Sequence, residues 1–179
     1  MRALVVYESM YGNTAAVGEA IAASLRAQGF DAEGRLVSEI DPAETAEVDL
    51  LLVGGPTHVH GMSRASTRKA AASDEKNIFA EATLEPGLRE WLKRLPAGES
   101  RLAGAFDTRI DKPVILTGSA AKGIRRQLEA AGFQLILNPE CFLVSGENKL
   151  LEGELEHAEV WADAVGSATA RAGVLVATP

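Results

Sequence analysis

The stretch that most constrains the fold is Ser9-Met10-Tyr11-Gly12-Asn13-Thr14. It follows an apolar run at residues 3–7 and opens an Ala-rich segment with helical periodicity at residues 13–28. This order predicts a strand, a tight polar loop and a helix. A loop in that position directs backbone N–H groups at the positive end of a helix dipole. The first strand–helix unit therefore carries a candidate anion site, most often one for phosphate.

Strand and helix patterns alternate along the rest of the chain, which predicts a parallel sheet with helices on both faces. Five strands are predicted at residues 3–7, 32–37, 49–55, 101–106 and 133–144, the last interrupted by Asn138-Pro139. Further helices are predicted at residues 63–72, 87–95, 119–131 and 155–170, with a helical turn at 41–42. We interpret residues 1–171 as one α/β domain and residues 172–179 as a C-terminal tail without a clear role.

Charge and composition limit the function classes. The chain has 18 basic and 25 acidic residues and a net charge of -7, which disfavours nucleic acid and anionic membranes as partners. The single cysteine, Cys141, excludes an internal disulfide, favours a cytoplasmic location and is expected to be a small buried hydrophobe. No apolar run approaches the roughly 20 residues of a membrane span, and no signal-peptide pattern is present.

The candidate site lies where the predicted strands end. In open α/β sheets ligands bind outside the carboxyl ends of the strands, which here are followed by loops at residues 8–14, 54–62 and 106–118. In the first loop Ser9, Asn13 and Thr14 offer side-chain donors, although each could equally be a helix cap. Gly12 allows a ligand to approach the backbone. Neither the Walker pattern nor the Gly-x-Gly-x-x-Gly fingerprint is present.

These motifs resemble those of the flavodoxins over nearly the whole chain. The strand–Ser-Met-Tyr-Gly-Asn-Thr–helix unit resembles their phosphate loop, and Gly54-Gly55-Pro56-Thr57-His58 resembles the segment that borders the flavin ring. Phe106-Asp107-Thr108-Arg109 matches the third loop less specifically. The resemblance implies a three-layer α/β/α fold, with a five-stranded parallel sheet in the order 2-1-3-4-5 and FMN as cofactor.

The resemblance also implies which residues would bind FMN. The phosphate would lie on the first loop, the ring along the second, and Gly61 matches a glycine whose peptide can flip toward the reduced ring. The candidate residues are Ser9, Met10, Tyr11, Gly12, Asn13, Thr14, Pro56, Thr57, His58, Val59, His60, Gly61, Phe106, Asp107, Thr108 and Arg109.

Two features depart from the flavodoxin pattern. Residues 107–118 contain no aromatic residue to cover the outer face of the flavin, so Ile110, Leu116 or a partner subunit would have to replace it. Flavodoxins surround the flavin with acidic residues, which disfavour its anionic reduced form. This chain instead has cations in or near the loops, which predict a more easily reduced flavin unless they are only solvated surface charges. They are Arg64, Arg68, Lys69, Arg109, Lys112 and Lys122.

Two redox functions follow from the resemblance. The first is electron transfer between redox partner proteins. The second is an FMN-dependent oxidoreductase, namely an NAD(P)H-dependent quinone oxidoreductase, which the long polar segment 56–86 and its cations favour. A homo-oligomer is compatible with either function.

Two other classes of function are disfavoured. A phosphoacceptor receiver domain needs more carboxylates at the strand ends than Glu8 and Asp107. A metal site is not expected, because no carboxylate or cysteine lies near His58 and His60 in the sequence.

Overall fold

The computed structural model describes residues 1–58, 60–74, 77–79 and 86–176. The strands are β1 (Arg2–Tyr7), β2 (Asp31–Leu36), β3 (Leu50–His58), β4 (Gly61–Met62), β5 (Leu102–Ile110), β6 (Gln134–Leu135) and β7 (Glu140–Val144). The helices are α1 (Asn13–Ala27), α2 (Ala65–Ala72), α3 (Leu88–Leu92), α4 (Val114–Thr117), α5 (Ala120–Ala130) and α6 (Glu154–Val176). Two 3₁₀ helices, Val37–Glu39 and Pro42–Glu47, connect β2 to β3.

The strand order confirms the predicted parallel sheet. The strands run β2-β1-β3-β5 and pair in parallel, and both β6 and β7 pair with the far edge of β5. They together form the predicted fifth strand, so the order 2-1-3-4-5 is confirmed. Asn138-Pro139 lies between β6 and β7, where a proline cannot donate a ladder hydrogen bond. The short strand β4 adds an antiparallel hairpin to the end of β3.

Helices cover both faces of the sheet, and alternate residues of each central strand point to opposite layers. Val5 packs in the cluster that includes α1 and α6, whereas Val6 packs in the cluster that includes α3 and α5. The predicted helix face of Val17, Ile21 and Leu25 is fully buried, which confirms it. The sheet is therefore apolar on both sides, as its unbroken hydrophobic runs predict.

Several predicted boundaries are wrong. β5 continues through Ile110, so residues 107–110 are strand, not loop, because all four pair with β7 and the first two also pair with β3. β3 likewise continues to His58, and α3 is shorter than the predicted helix 87–95. The last helix extends to Val176, so part of the predicted tail is helical. For β3 and β5 the pairing with neighbouring strands overrides local polarity.

The absence of a side chain at Gly54 is required by close packing. A Cβ atom there would lie 2.1 Å from the ring of Phe106. We expect Gly54→Ala to lower the free energy of unfolding by about 1–3 kcal/mol, because the buried ring has to move. Urea unfolding followed by circular dichroism measures the change.

Gly146→Ala is the matched control, since no atom lies within 4 Å of the added Cβ. We expect that variant to unfold within about 0.5 kcal/mol of wild type. Equal stability of the two variants would show that Phe106 does not pack against Gly54.

Candidate functional site

A cavity of about 300 Å³ lies at the carboxyl ends of β1, β3, β5 and β7. This is the edge at which open α/β sheets bind ligands, and β1 and β3 flank the point where the strand order reverses. The volume is at the lower end of the range for small-molecule pockets. The cavity is lined by Ser9, Met10, Tyr11, Asn13, Thr14, Pro56, Thr57, His58, Thr108, Arg109, Ile110, Val144 and Asn148.

The first loop turns the chain sharply into α1. Gly12 has φ 87°, a left-handed conformation that favours glycine, and it directly precedes the helix. The hydroxyl of Ser9 accepts a hydrogen bond from the N–H of Ala15 at 3.2 Å. Among the described residues, the N–H groups of Asn13 and Thr14 have no hydrogen-bond acceptor. The helix N-terminus therefore keeps two donors for an anion.

A pair of buried hydroxyls forms one wall of the cavity. The Oγ1 atoms of Thr14 and Thr108 lie 2.8 Å apart, and the two residues are 2% and 4% exposed. One hydrogen lies between the two oxygens, so the pair keeps a second O–H hydrogen to donate elsewhere. Because both residues line the cavity, that donor is available to a bound anion.

The side chain of Asn13 holds the turn that follows β7. Its amide nitrogen donates to the carbonyl of Asn148 at 2.9 Å, and its amide oxygen accepts from the N–H of Leu150 at 3.1 Å. The sequence suggests this amide as a ligand donor or helix cap. The structure instead uses it to position Asn148 against the cavity.

The second loop contributes only part of its predicted residues to this cavity. Pro56, Thr57 and His58 line it, Val59 lies outside the described residues, and Gly61 lies in β4, paired with His58. The positive φ of this hairpin is at His60, not at Gly61. Burial lowers the pKa of His58 although the charge of Glu8 acts in the opposite direction, so His58 is neutral at pH 7.

The third predicted segment divides into core and site. Phe106 is fully buried and packs against the rings of Phe142 and Trp161, away from the cavity. Thr108 and Arg109 line the cavity, and the guanidinium of Arg109 donates to a backbone carbonyl, that of Lys112, at 2.6 Å. This division follows position along β5, since Thr108 and Arg109 lie near its carboxyl end, where the cavity is, whereas Phe106 lies further back in the sheet.

Asp107 is a positioning residue beneath the site. Its fully buried carboxylate accepts hydrogen bonds from the hydroxyl of Thr57 at 3.1 Å, the hydroxyl of Ser119 at 2.7 Å and the N–H of Ala121 at 2.9 Å. The end of β3 is thereby joined to the start of α5. Cys141 pairs with Asp107 in the sheet and is only partly buried, and burial together with the charge of Asp107 raises the pKa of its thiol.

We expect Asp107→Ala to lower the free energy of unfolding by about 3–5 kcal/mol, because one buried and two partly buried donors lose their acceptor. Asp107→Asn keeps one acceptor oxygen and should lose less. Asp111→Ala, at an exposed carboxylate on the same segment, is the control and should stay within about 0.5 kcal/mol of wild type. Chemical unfolding curves compare the three. Similar curves for Asp107→Ala and Asp111→Ala would contradict the joining role.

Sequence reasoning did not assign Val144 and Asn148 to the site, and it considered Ile110 only as a cover for the flavin. All three line the cavity. Val144 ends β7, the second half of the predicted fifth strand, and Asn148 follows it in the chain. Ligands of open α/β sheets bind outside the carboxyl ends of the strands, so the end of this strand was also a candidate, but only the loops after three other strands were considered.

One of the six cations predicted at this edge is paired within the fold. Arg68 is 5% exposed, and its guanidinium lies 3.1 Å from the carboxylate of Glu90. Glu8, at the end of β1, accepts the N–H of Leu88 at 2.7 Å. Glu8 thereby joins the end of β1 to the start of α3, and Arg68 joins α2 to α3.

In the described ranges, 1–58, 60–74, 77–79 and 86–176, no helix is long and apolar enough to cross a membrane. No three His, Cys, Asp or Glu side chains in those ranges lie together in a way that could hold a metal ion.

A parallel sheet in the order 2-1-3-4-5 with helices on both faces is the flavodoxin-like fold. The sequence model of the flavodoxin family matches residues 5–161, so the chain belongs to the flavodoxin family. A search of curated proteins found no significant match.

Solved structures of the same fold are similar over nearly the whole chain. A flavodoxin from the domain Archaea has 18% identity and a TM-score of 0.66, covering 94% of this chain and 99% of the other. The flavodoxin of Streptococcus pneumoniae TIGR4 has 16% identity and a TM-score of 0.69, covering 93% and 99%. Rubredoxin oxygen:oxidoreductase from Desulfovibrio gigas has 18% identity and a TM-score of 0.64, covering 95% of this chain and 36% of that one.

Proposed function

We propose that this protein binds FMN in the cavity at the carboxyl ends of β1, β3, β5 and β7 and transfers electrons between redox partners. Family membership supports the cofactor. The observation that carries the proposal is the set of uncommitted donors on one wall of the cavity, namely the N–H groups of Asn13 and Thr14 and the remaining hydrogen of the Thr14–Thr108 hydroxyl pair. A phosphate is the part of FMN that needs such donors.

Each part of the cavity matches one part of FMN. The start of α1 would hold the phosphate through backbone N–H groups and hydroxyls. Pro56, His58 and Tyr11 offer flat or apolar surfaces for the ring system. His58, being neutral at pH 7, would add no charge beside the ring. When bound, FMN supplies the redox chemistry by accepting and releasing electrons, and the protein supplies its position and electrostatic surroundings.

The orientation of the Tyr11 hydroxyl is fixed by a hydrogen bond. It donates to the carboxylate of Asp74 at 3.0 Å, which ties the first loop to the turn after α2. The pKa of Tyr11 is raised by burial and by this hydrogen bond, so the phenol stays protonated and uncharged. Tyr11 is the aromatic residue that the cavity offers to a flavin ring, in place of one from the third segment.

Absorbance of the purified protein tests the proposal. We expect a yellow protein, or a colourless one that takes up added FMN with quenching of FMN fluorescence. A folded protein that neither contains nor takes up FMN would overturn the proposal.

The same sample tests the second redox function, a quinone oxidoreductase, which segment 56–86 and its cations favour. Bleaching by NADPH or NADH alone, followed by recovery with a quinone, would support that enzyme. Bleaching only in the presence of a reductase protein would support the electron carrier.

A further inference from the structure

The segment around the end of β5 has a charge opposite to that of the whole chain. Residues 108–126 contain five cations and one carboxylate, Asp111, while the full chain carries a net charge of -7. The cations are Arg109, Lys112, Lys122, Arg125 and Arg126. Positive charge therefore exceeds negative charge in this segment.

Three of these cations are free to interact with a partner. Lys112, Lys122 and Arg126 are exposed and form no ion pair with any residue in the described part of the chain. Arg125 is paired with Glu129 at 2.8 Å, and Arg109 donates to a backbone carbonyl. The three free charges thus have no intramolecular role that would explain their grouping.

An apolar ridge accompanies these charges. Helix α4 has three consecutive apolar residues in solvent, with Val114, Ile115 and Leu116 exposed by 44%, 84% and 64%. A contiguous exposed apolar patch with a polar rim marks an interaction site. We name Lys112, Lys122, Arg126, Ile115 and Leu116 together the basic face.

The basic face borders the proposed FMN cavity. Leu116 and Lys112 line a hollow that shares Thr57, Arg109 and Ile110 with the cavity. Lys122 and Arg126 line another hollow that shares Arg109. A protein seated on the basic face would lie directly against the cavity mouth, where electrons would leave.

A nucleotide is a less suitable occupant of the basic face. Binding its phosphates needs cations that converge on one point, with bidentate arginines preferred. Here Arg109 and Arg125 are already engaged, and the free cations lie exposed around a protruding apolar ridge. That arrangement matches an acidic protein surface with an apolar centre.

We propose that the basic face docks an acidic redox protein, which is the electron donor or acceptor of this flavodoxin. The inference rests on the proposed function, because the partner would exchange electrons with FMN. It reverses the usual flavodoxin charge, in which the flavin edge itself is acidic. The transfer moves one electron between reduced FMN and the partner's centre and breaks no bond.

The test uses one redox protein in two charge states. Native cytochrome c is basic, and cytochrome c with succinylated lysines is acidic. We expect the acidic form to bind the full-length protein at least about tenfold more tightly at low ionic strength, with the difference shrinking as salt screens it. Protein reduced by dithionite and desalted should also reduce the acidic form faster.

Two charge-reversal variants separate the basic face from net charge. Lys112→Glu/Lys122→Glu/Arg126→Glu should abolish or invert the preference for the acidic form. Arg2→Glu/Arg26→Glu/Arg171→Glu changes the net charge equally, at the start of β1 and towards the C-terminal ends of α1 and α6, and should keep that preference. Ile115→Ser should weaken binding of the acidic form at high salt without changing the charge.

Three results would overturn the proposal. The first is tighter binding of native than of succinylated cytochrome c, and the second is an equal effect of the two triple variants on cytochrome binding. The third is a basic-face variant that still binds the acidic cytochrome but is no longer bleached by NADPH. The binding measurement does not need FMN. If the protein binds acidic cytochrome c but takes up no FMN, the proposed function is refuted. The basic face would then still bind an acidic protein, but no electron transfer from FMN could follow.

Discussion

The double substitution Ser9→Ala/Thr14→Ala is expected to weaken FMN binding by about 2–4 kcal/mol, or roughly 30- to 900-fold in the dissociation constant. Thr14 supplies half of the hydroxyl pair that keeps a donor for the phosphate, and its loss also leaves Thr108 without a partner. The hydroxyl of Ser9 shapes the loop through the N–H of Ala15. Quenching of FMN fluorescence during titration measures the affinity.

Ser24→Ala on the same helix is the control for this experiment. Its hydroxyl donates to the carboxylate of Asp163, far along α1 from the cavity. We expect that variant to bind FMN like wild type. Riboflavin, which lacks the phosphate, should lose much less affinity than FMN in the double variant. Unchanged FMN affinity would mean that the phosphate binds elsewhere.

Arg109→Gln is expected to lower the reduction potential of the bound flavin by roughly 40–70 mV. A cation about 10 Å from a redox centre, at an effective dielectric constant of about 20–40, stabilises each added electron by about 0.8–1.7 kcal/mol. Arg109 lines the cavity and both of the hollows that border the basic face. Spectroelectrochemical titration of the FMN-loaded protein gives the potential.

Two variants show whether the effect of Arg109 is one of charge. Arg109→Lys keeps the charge but not the fork of donors, and should leave the potential near that of wild type. Arg2→Gln removes a cation at the opposite edge of the sheet and should change the potential little. A potential that does not fall in Arg109→Gln would contradict a basic flavin edge. So would a wild-type potential as low as that of acidic flavodoxins.

The fold could be predicted from the sequence because each strand and helix has a strong local signal. The unbroken apolar run at residues 50–53 is a fully buried strand, and the spacing of Val17, Ile21 and Leu25 is a buried helix face. The interruption at Asn138-Pro139 separates β6 from β7 at the predicted place. Parallel pairing follows once helices alternate with such strands.

The candidate site was less predictable, because polar residues at strand ends have several roles that one sequence cannot separate. Asp107, Thr108 and Arg109 are adjacent in the chain, yet Asp107 joins β3 to α5, whereas the other two line the cavity. These roles depend on how far along β5 each residue lies and on which elements pack against it there. Neither could be determined while residues 107–110 were interpreted as a loop.

The partners of a polar side chain are also invisible in the sequence when they are far along the chain. Asn13 bonds to residues 148 and 150, and Thr14 to Thr108. Neither pairing has a local signal, since each depends on how the strand ends meet in space. Arg68 shows the same limit, because its charge was counted at the surface and is paired inside with Glu90.

The four extra residues of β5 have a consequence for recognition. The backbone of residues 107–110 is hydrogen-bonded on both sides, by β3 up to Thr108 and by β7 up to Ile110. The conformational entropy of residues 107–110 is therefore lost when the chain folds, not when a partner binds. A rigid segment of this kind permits short-lived complexes, because binding does not have to order it and dissociation does not make it disordered again. An electron carrier that must leave one partner for the next depends on such short contacts.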